Sequence, residues 1–400
     1  MAAEDHLILT WSGREAATNA ERARSVVVDE LLDHLAAQGT PRPVIQHPLQ
    51  PFSRRYFSAT AEDHALFTYS SAMAQGASAP RTQAYALAAA PLDPALLVDG
   101  GEEIALRDLL DCWENPAAFF CTRTLRLTLP AWEAPATDLE RFALSPMERG
   151  RLRSRMVRQI LQGTYDPRRA VQRFLADGEL PPGALGRATF ARIEAEVEAV
   201  RARIAGVSWS STSILIHGAG WHLRGTLDGL TETDRIIPRA GRFSARHRIR
   251  AWVEHVVLCA AAQAGQPVPR NTLLIGVTSG EDEDGEKLPA AVQGSCAEVA
   301  DAMALLDRWV SLLREARRYP LPFFQHAGAA WLDSVKKGTS VDHLEAARRK
   351  FEPGFKTVGD LDDPYVALCF PEEDPLAVHR EAFERLATTL APTFDLPSVK

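Results

Sequence analysis

No stretch of the 400 residues is long and apolar enough to span a bilayer, which argues against a helical membrane protein. The opening MAAEDHLILTW lacks the charged and apolar regions of a secretory signal, so a cytoplasmic location is expected. Cysteine is scarce and scattered: Cys112, Cys121, Cys259, Cys296 and Cys369 are odd in number and contain no C-x-x-C pair. That spacing suits a reduced compartment and gives no zinc or iron–sulfur site. A Gly-x-x-x-x-Gly-Lys-Ser/Thr segment is missing, so the chain has no backbone cradle for ATP phosphates. A Gly-x-Ser-x-Gly elbow is missing too. The acidic loop Glu281–Glu286 lacks the ligand spacing and closing Glu of an EF-hand and reads as a solvated turn. No cofactor bound by this chain is expected. Internal repeats are absent, and a net charge of -7 means that any nucleic-acid surface must be local.

What the chain does have is a core: 46% of its residues are hydrophobic, enough for two domains. Its organising stretch is Ser210–Ala264. Ser211–Gly218 and Trp221–Leu230 alternate as strands around the tight Gly218-Ala219-Gly220 reversal. Asp234–Arg239 reads as a third strand, with Pro238 at an edge or end. Ser244 offers an N-cap oxygen to a helix through Trp252, Val256 and Leu258. His217 and His222 flank the reversal with no carboxylate cluster nearby, and read as a polar strand-end pair.

Before this stretch, His6–Gly13 reads as a strand and Ala20–Ala37 as a helix with a broad apolar face. His47–Phe57 (HPLQPFSRRYF) is barred from helix by its prolines. Its Arg54, Arg55 and Tyr56 could pair phosphate and stack on bases, or merely anchor a connector. Ala74–Pro91 reads as a flexible linker. Leu106 to Phe120 is an apolar helix interrupted by Asn115-Pro116. Ser145 and Glu148 form a capping box opening a helix to Gly163, decorated by Arg149, Arg151, Arg153, Arg155 and Arg158. Those arginines suit either a solvated face or a phosphate-facing one. Helices are expected at Pro167–Ala176 and Arg187–Ile204, and a strand at Asn271–Thr278. Ser295 and Glu298 read as a second capping box. Further helices follow at Phe323–Val335, Asp342–Phe351 and Ala377–Leu390, with Phe351–Gly354 and Asp362–Tyr365 as punctuation. The order is that of a mixed sheet with a crossover helix, α/β or α+β.

A helix, three antiparallel strands, a helix and a strand form the core order of the restriction-endonuclease-like nucleases. Their chemistry needs an Asp, then Asp/Glu-x-Lys, so that neighbouring carboxylates hold Mg²⁺ and a lysine assists. Asp228 stands where the first acid belongs. The next strand reads Arg235-Ile236-Ile237-Pro238-Arg239-Ala240, with neither a second acid nor a lysine. One carboxylate holds Mg²⁺ poorly, so the site reads as decayed, with no catalytic residue and no metal. In its place stand Arg239, Arg242, Arg246, His247, Arg248 and Arg250. At a helix N-terminus these could contact phosphate. Alternatively, Arg246 and Arg250 pair with acids of neighbouring domains or subunits.

Four segments, HPLQPFSRRYF, the Arg107–Phe120 helix ending NPAAFF, RIRAWVEHVVL and ARRKFEPGF, together resemble the C-terminal part of the RecC family, a subunit of the RecBCD helicase–nuclease. Leu7–Arg14 resembles the end of that subunit's second helicase-like domain. The resemblance implies a nuclease-like core without catalytic residues, with many added helices, preceded by a strand–helix remnant of a helicase-like domain. Its implied boundaries are 1–45 for that remnant, 46–100 for connector and linker, and 101–400 for the nuclease-like domain. The implied role is scaffolding and strand guidance in double-strand-break repair. RecB-like and RecD-like partners, duplex ends and separated single strands would be its companions, with ATP and Mg²⁺ used by the partners. The family subunit is longer, which implies an internal start or a truncated gene.

Overall fold

The structure, a computed structural model, describes residues 7–15, 20–40, 44–58, 66–78, 90–93, 103–129, 142–281, 287–338, 342–352, 354 and 358–390. Two units divide the chain, Met1–Ala84 and Tyr85–Lys400. In the first, the strand expected over His6–Gly13 does not form across the described residues 7–13. Leu7, Ile8 and Leu9 are exposed, and the local pairing is a single bridge between Arg14 and Glu21. Without a neighbouring strand, an apolar run has nothing to exchange ladder hydrogen bonds with. The helix expected from Ala20 begins later, as α1 (Val26–Ala37), and buries none of its residues. Arg54–Tyr56 makes a 3-10 turn. The helix α2 (Ser71–Ser78) takes the first part of the expected linker, whose residues 79–89 lie outside those described.

The second unit opens with a strand too short to read from sequence, β1 (Glu103–Ala105), followed by α3 (Leu106–Glu114) and α4 (Pro116–Phe119). The break between these helices is chemical. Asn115 Oδ1 accepts the Ala118 N–H at 3.0 Å, and Pro116 takes the first helical position, where its missing donor does no harm. The helix α5 (Pro146–Leu161) starts at the expected box: Ser145 Oγ accepts the Glu148 N–H at 3.2 Å, and the Glu148 carboxylate accepts the Ser145 N–H at 2.8 Å. Next come α6 (Pro167–Ala176), capped by Asp166, and α7 (Gly183–Ile204).

The strands β2 (Ser210–Gly218) and β3 (Trp221–Leu230) form the expected hairpin, with Gly218 opposite Trp221 and Gly220 at a φ of 74° that side chains rarely adopt. After β4 (Asp234–Pro238) comes the long helix α8 (Ala245–Gln263). Ser244 does not cap it through its side chain, because its hydroxyl is engaged by His247 Nδ1. The strands β5 (Asn271–Glu281) and β6 (Lys287–Ser295) follow, and residues 282–286 of the acidic loop lie outside those described. The expected capping box at Ser295–Glu298 is a misreading. Ser295 ends β6 opposite Leu273, and the next helix, α9 (Ala302–Ala316), is capped by Asp301, which accepts the Ala304 N–H at 2.8 Å. The chain then runs through α10 (Gln325–Lys337), α11 (His343–Phe351), α12 (Pro364–Cys369), α13 (Pro375–Val378) and α14 (Arg380–Thr389). The expected punctuation at Asp362–Tyr365 is partly the start of a helix, since Asp363 caps α12.

The sheet is mixed, and β3 is its hub. It pairs antiparallel with β2 along its length, parallel with β1 (Glu103 opposite His222) and antiparallel with β4 at Leu230–Arg235. Beyond the α8 crossover, β4 and β5 run parallel, and β6 returns antiparallel. Helices cover both faces, as alternating burial demands. Ile214, Ile216, Leu223 and Leu227 pack with α3, α8 and α9 around Trp113, Trp252 and Trp309. On the other face, Ile275 and Val277 meet Met156, Phe174 and Val197 of α5, α6 and α7. A third cluster joins Phe120, Phe324, Phe351 and Phe370 with the last helices. In it the thiols of Cys121 and Cys369 lie 3.5 Å apart, unoxidised and buried.

Gly225 lets β3 approach the start of α3: a Cβ there would lie 2.4 Å from Leu106 Cβ. Gly225→Ala is therefore expected to lower the unfolding free energy by about 1–3 kcal/mol through overpacking, as read by urea denaturation. An unchanged midpoint would mean that this contact yields at no cost.

Candidate nucleic-acid interface

Strand alternation leaves Asp228 exposed on β3, opposite Ser211, and its backbone carbonyl accepts the Arg235 Nε–H at 3.0 Å. The neighbouring β4 pairs with β3 through Arg235, which stands opposite Leu230. Arg235 turns inward, is 5% exposed, and its Nη2 donates to Glu254 Oε2 of α8 at 2.7 Å. Among the described residues, no group of three or more His, Cys, Asp or Glu is placed to hold a metal. A plain signal in the sequence bears on the same point: the first lysine of the chain is Lys287. No Asp/Glu-x-Lys can precede it. His217 and His222 face each other across the hairpin, rings 6.0 Å apart, and His222 Nε2 lies 3.6 Å from the Glu103 carboxylate.

The arginines of the α8 segment divide by what neutralises them. Arg246 Nε donates to Glu114 Oε2 at 2.7 Å, and Arg250 Nη1 reaches Glu114 Oε1 at 3.3 Å. Arg250 also pairs with Glu254, its i+4 neighbour, at 3.3 Å. An ionic chain thus runs Arg246–Glu114–Arg250–Glu254–Arg235, through α3, α8 and β4. The alternative that Arg246 and Arg250 meet an acid from elsewhere describes their geometry, but the acid belongs to this chain. Glu114 ends α3, more than a hundred residues upstream, and nothing local marks it; Glu254 is readable from its i,i+4 spacing to Arg250.

Arg239 and Arg242 have no carboxylate partner among the described residues. Arg239 is half-buried, its Nε donates to the Arg242 carbonyl at 2.9 Å, and burial followed by the nearby Arg153 guanidinium pulls its pKa below the usual range. His247 sits among these cations. Burial, then Arg239, Arg246 and Arg250, push it down to about 4, so at neutral pH its ring is uncharged. Arg248 turns elsewhere: it is half-buried, lowered chiefly by burial, and feels the carboxylate of Asp333 on α10. Arg54, Arg55 and Tyr56 lie in the other unit. Arg54 Nε donates to the Ala77 carbonyl at 3.1 Å, and the Tyr56 hydroxyl meets His47 Nδ1 at 3.1 Å with the rings stacked. The structure thus gathers Arg239, Arg246 and Arg250 around His247, joins Arg242 to Arg239 through its carbonyl, and directs Arg248 toward Asp333.

Two outcomes are expected. Glu254→Gln leaves Arg235 buried without its counter-charge and should destabilise by about 3–5 kcal/mol, whereas Arg235→Met with Glu254→Leu should stay near wild type. Equal losses from both variants in urea would show the pair to be irreplaceable. The second outcome concerns pH. His255, buried in α8, bonds Thr272 Oγ1 at 2.9 Å and the Ala297 carbonyl at 3.0 Å. Burial, reinforced by Arg235 and opposed by the Ala297 carbonyl, pushes it down to about 4. Between its ordinary value and about 4, the unfolded chain binds a proton that the folded one refuses, so stability falls as pH drops through that window. Asp360, raised to about 6 chiefly by burial, works in the opposite direction. Removing the histidine with His255→Gln should flatten the acid-side slope by up to about 1.4 kcal/mol per pH unit, measured by urea unfolding at several pH values. A slope equal to that of wild type would contradict the assignment.

The family model described as RecC C-terminal domain matches residues 101–336. RecBCD enzyme subunit RecC of Mycobacterium tuberculosis (strain H37Rv) is 29% identical over 393 residues, covering 94% of this chain and 34% of that protein. The Escherichia coli K12 subunit of the same name is 23% identical over 393 residues, covering 91% of this chain and 33% of that protein. The Haemophilus influenzae subunit is 24% identical over 291 residues, covering 67% and 24%. The chain spans about a third of the length of the first of these curated relatives. The RecC C-terminal domain model matches more than half of the chain, and the chain therefore belongs to the RecC family.

Proposed function

We propose that this chain works as a non-catalytic portion of a RecBCD-type helicase–nuclease, scaffolding partner subunits and guiding or splitting DNA strands in double-strand-break repair by homologous recombination. The observation that carries the reading is Arg235. Where a nuclease would place a second metal-holding acid on the strand beside Asp228, β4 carries a buried guanidinium bound to Glu254. A buried cation whose Nε also meets the Asp228 carbonyl opposes Mg²⁺ binding nearby instead of assisting it. Supporting the finer fold, α7, β2, β3, β4, α8 and β5 follow the restriction-endonuclease-like order, with β4–α8–β5 as a parallel crossover.

In this reading the boundaries fall at 1–45 for a helicase-like remnant, 46–100 for connector and linker, and 101–400 for the nuclease-like domain. The exposed apolar face of α1 is consistent with elements of such a domain lying against it in a longer subunit. RecB-like and RecD-like subunits are the proposed partners and would supply ATP and Mg²⁺ chemistry. Duplex ends and separated strands are the proposed DNA, met by Arg239 and Arg242, whose charge no acid of the described residues cancels. The proposed location is cytoplasmic; no helix of the described residues is long and apolar enough to cross a membrane.

Incubating the purified chain with linear duplex DNA and Mg²⁺ should leave the DNA intact. Cleavage that disappears in Asp228→Ala would overturn the non-catalytic assignment. Co-expression with RecB- and RecD-type subunits should yield a co-purifying assembly, and persistent failure to do so would count against the scaffold role.

A further inference from the structure

The five arginines of α5 sort into two groups, those that meet a carboxylate of the described residues and those that do not. Arg153 pairs with Glu196 of α7, its Nη2 donating to Oε1 at 2.8 Å, and Arg155 donates to Glu179 while lying 5.0 Å over the Phe174 ring. Arg149, Arg151 and Arg158 meet no carboxylate among the described residues; Arg151 has only the Met147 sulfur at 3.5 Å. Met147, Arg151, Ser154 and Arg158 follow one another at i, i+4, i+7 and i+11 and are all exposed, so they form one outward stripe. Its two charges stand about 10 Å apart along the axis.

Two further observations give the stripe direction. Phe142, three residues before the Ser145 cap, is 76% exposed, and Met147 is 68% exposed, so a polarisable apolar surface stands at the head of a cationic row. At the flank, Arg153 Nη1 lies 3.7 Å from where a Gly241 Cβ would be, so α5 touches the loop that carries Arg239 and Arg242. Arg149, one turn before Arg153, lies on the flank nearest that loop. In a chain of net charge -7 this is a local positive field that extends from one element to the next.

We infer that the outward face of α5 is a track for the sugar–phosphate backbone of single-stranded nucleic acid. Arg149, Arg151 and Arg158 hold phosphates, Phe142 stacks on an unpaired base, and the track continues to Arg239 and Arg242. Cations alone would suit duplex or single strand. The exposed ring decides for the single strand, because only an unstacked base can offer it a face. The inference rests on the DNA-guiding reading and goes beyond it by assigning a strand type and a helix face.

The test is anisotropy of a fluorescent 20-nucleotide oligothymidylate titrated with the full 400-residue chain over a salt series. Wild type should bind with a negative dependence of log affinity on log salt. The Arg149→Gln, Arg151→Gln, Arg158→Gln triple variant should lose about 2 units of that slope, about 0.7 for each phosphate contact on a single strand. Phe142→Ala should weaken binding about tenfold with the slope kept. If wild type binds and the triple variant keeps its slope, the α5 track is wrong while the DNA-guiding reading survives. If wild type does not bind, both fall. Equal affinity for a duplex of the same length, with Phe142→Ala silent, overturns the single-strand assignment. Displacement of the oligonucleotide by polyglutamate at matched charge would assign the face to an acidic protein segment instead.

Discussion

Glu114 is the residue on which the arrangement of the larger unit turns. Only 7% of it is exposed, it ends α3, and it receives two guanidiniums from the first turns of α8. Taking a carboxylate out of water is unfavourable by several kcal/mol unless hydrogen-bonded cations replace the solvent. Here the compensation is shared, since Arg250 also meets Glu254, and Glu254 in turn satisfies Arg235 inside the sheet. Each ion of the chain is tolerated because of the next. The result is directional in a way that the apolar packing of α8 is not. Residues Ala251 to Ala261 are buried on every side, so no apolar stripe by itself marks how the helix is turned. The ionic chain allows one rotation and one register.

This accounting changes what a row of arginines means. Arg239, Arg242, Arg246, Arg248 and Arg250 are one cluster in sequence and three populations in space. Arg246 and Arg250 clamp α3, Arg248 faces Asp333, and Arg239 and Arg242 are left with backbone carbonyl or solvent. His247, kept neutral among them, adds no charge to the patch. The field available to a polyanion is therefore set by which cations lack an acid, and a count of arginines overstates it.

Local chemistry was legible from sequence, and long-range pairing was not. The Ser145–Glu148 box, the Asn115-Pro116 break and the Gly218-Ala219-Gly220 reversal each depend on residues within a few positions, and each took the expected form. Ser295–Glu298 carries the same box pattern as Ser145–Glu148, yet Ser295 is claimed by Leu273 of β5, because a ladder of nine register pairs outweighs one cap. The three-residue β1 shows no periodicity of its own and exists only because β3 offers it an edge. In the site, the acid at Asp228 and the lack of any acid or lysine from Arg235 to Ala240 could be read directly. Arg235 entering the core could not, since its partner lies on the next helix and its burial is a tertiary fact.

The hub role of β3 has a temporal side. Its pairing with β2 closes through a two-residue turn, and its link to β4 is nearly as local, whereas its parallel neighbour β1 brings Glu103 to His222. Closing so long a loop carries a larger entropic penalty than closing a hairpin, and the penalty is met before the contacts compensate it. The β2–β3–β4 meander thus closes at the smaller entropic cost, and the docking of β1 with α3 depends on a much longer closure. While they are absent, the edge of β3 and the Trp252–Trp309 core stand open to water. In a chain refolding from the denatured state, that edge of β3 is open to a foreign strand until β1 docks.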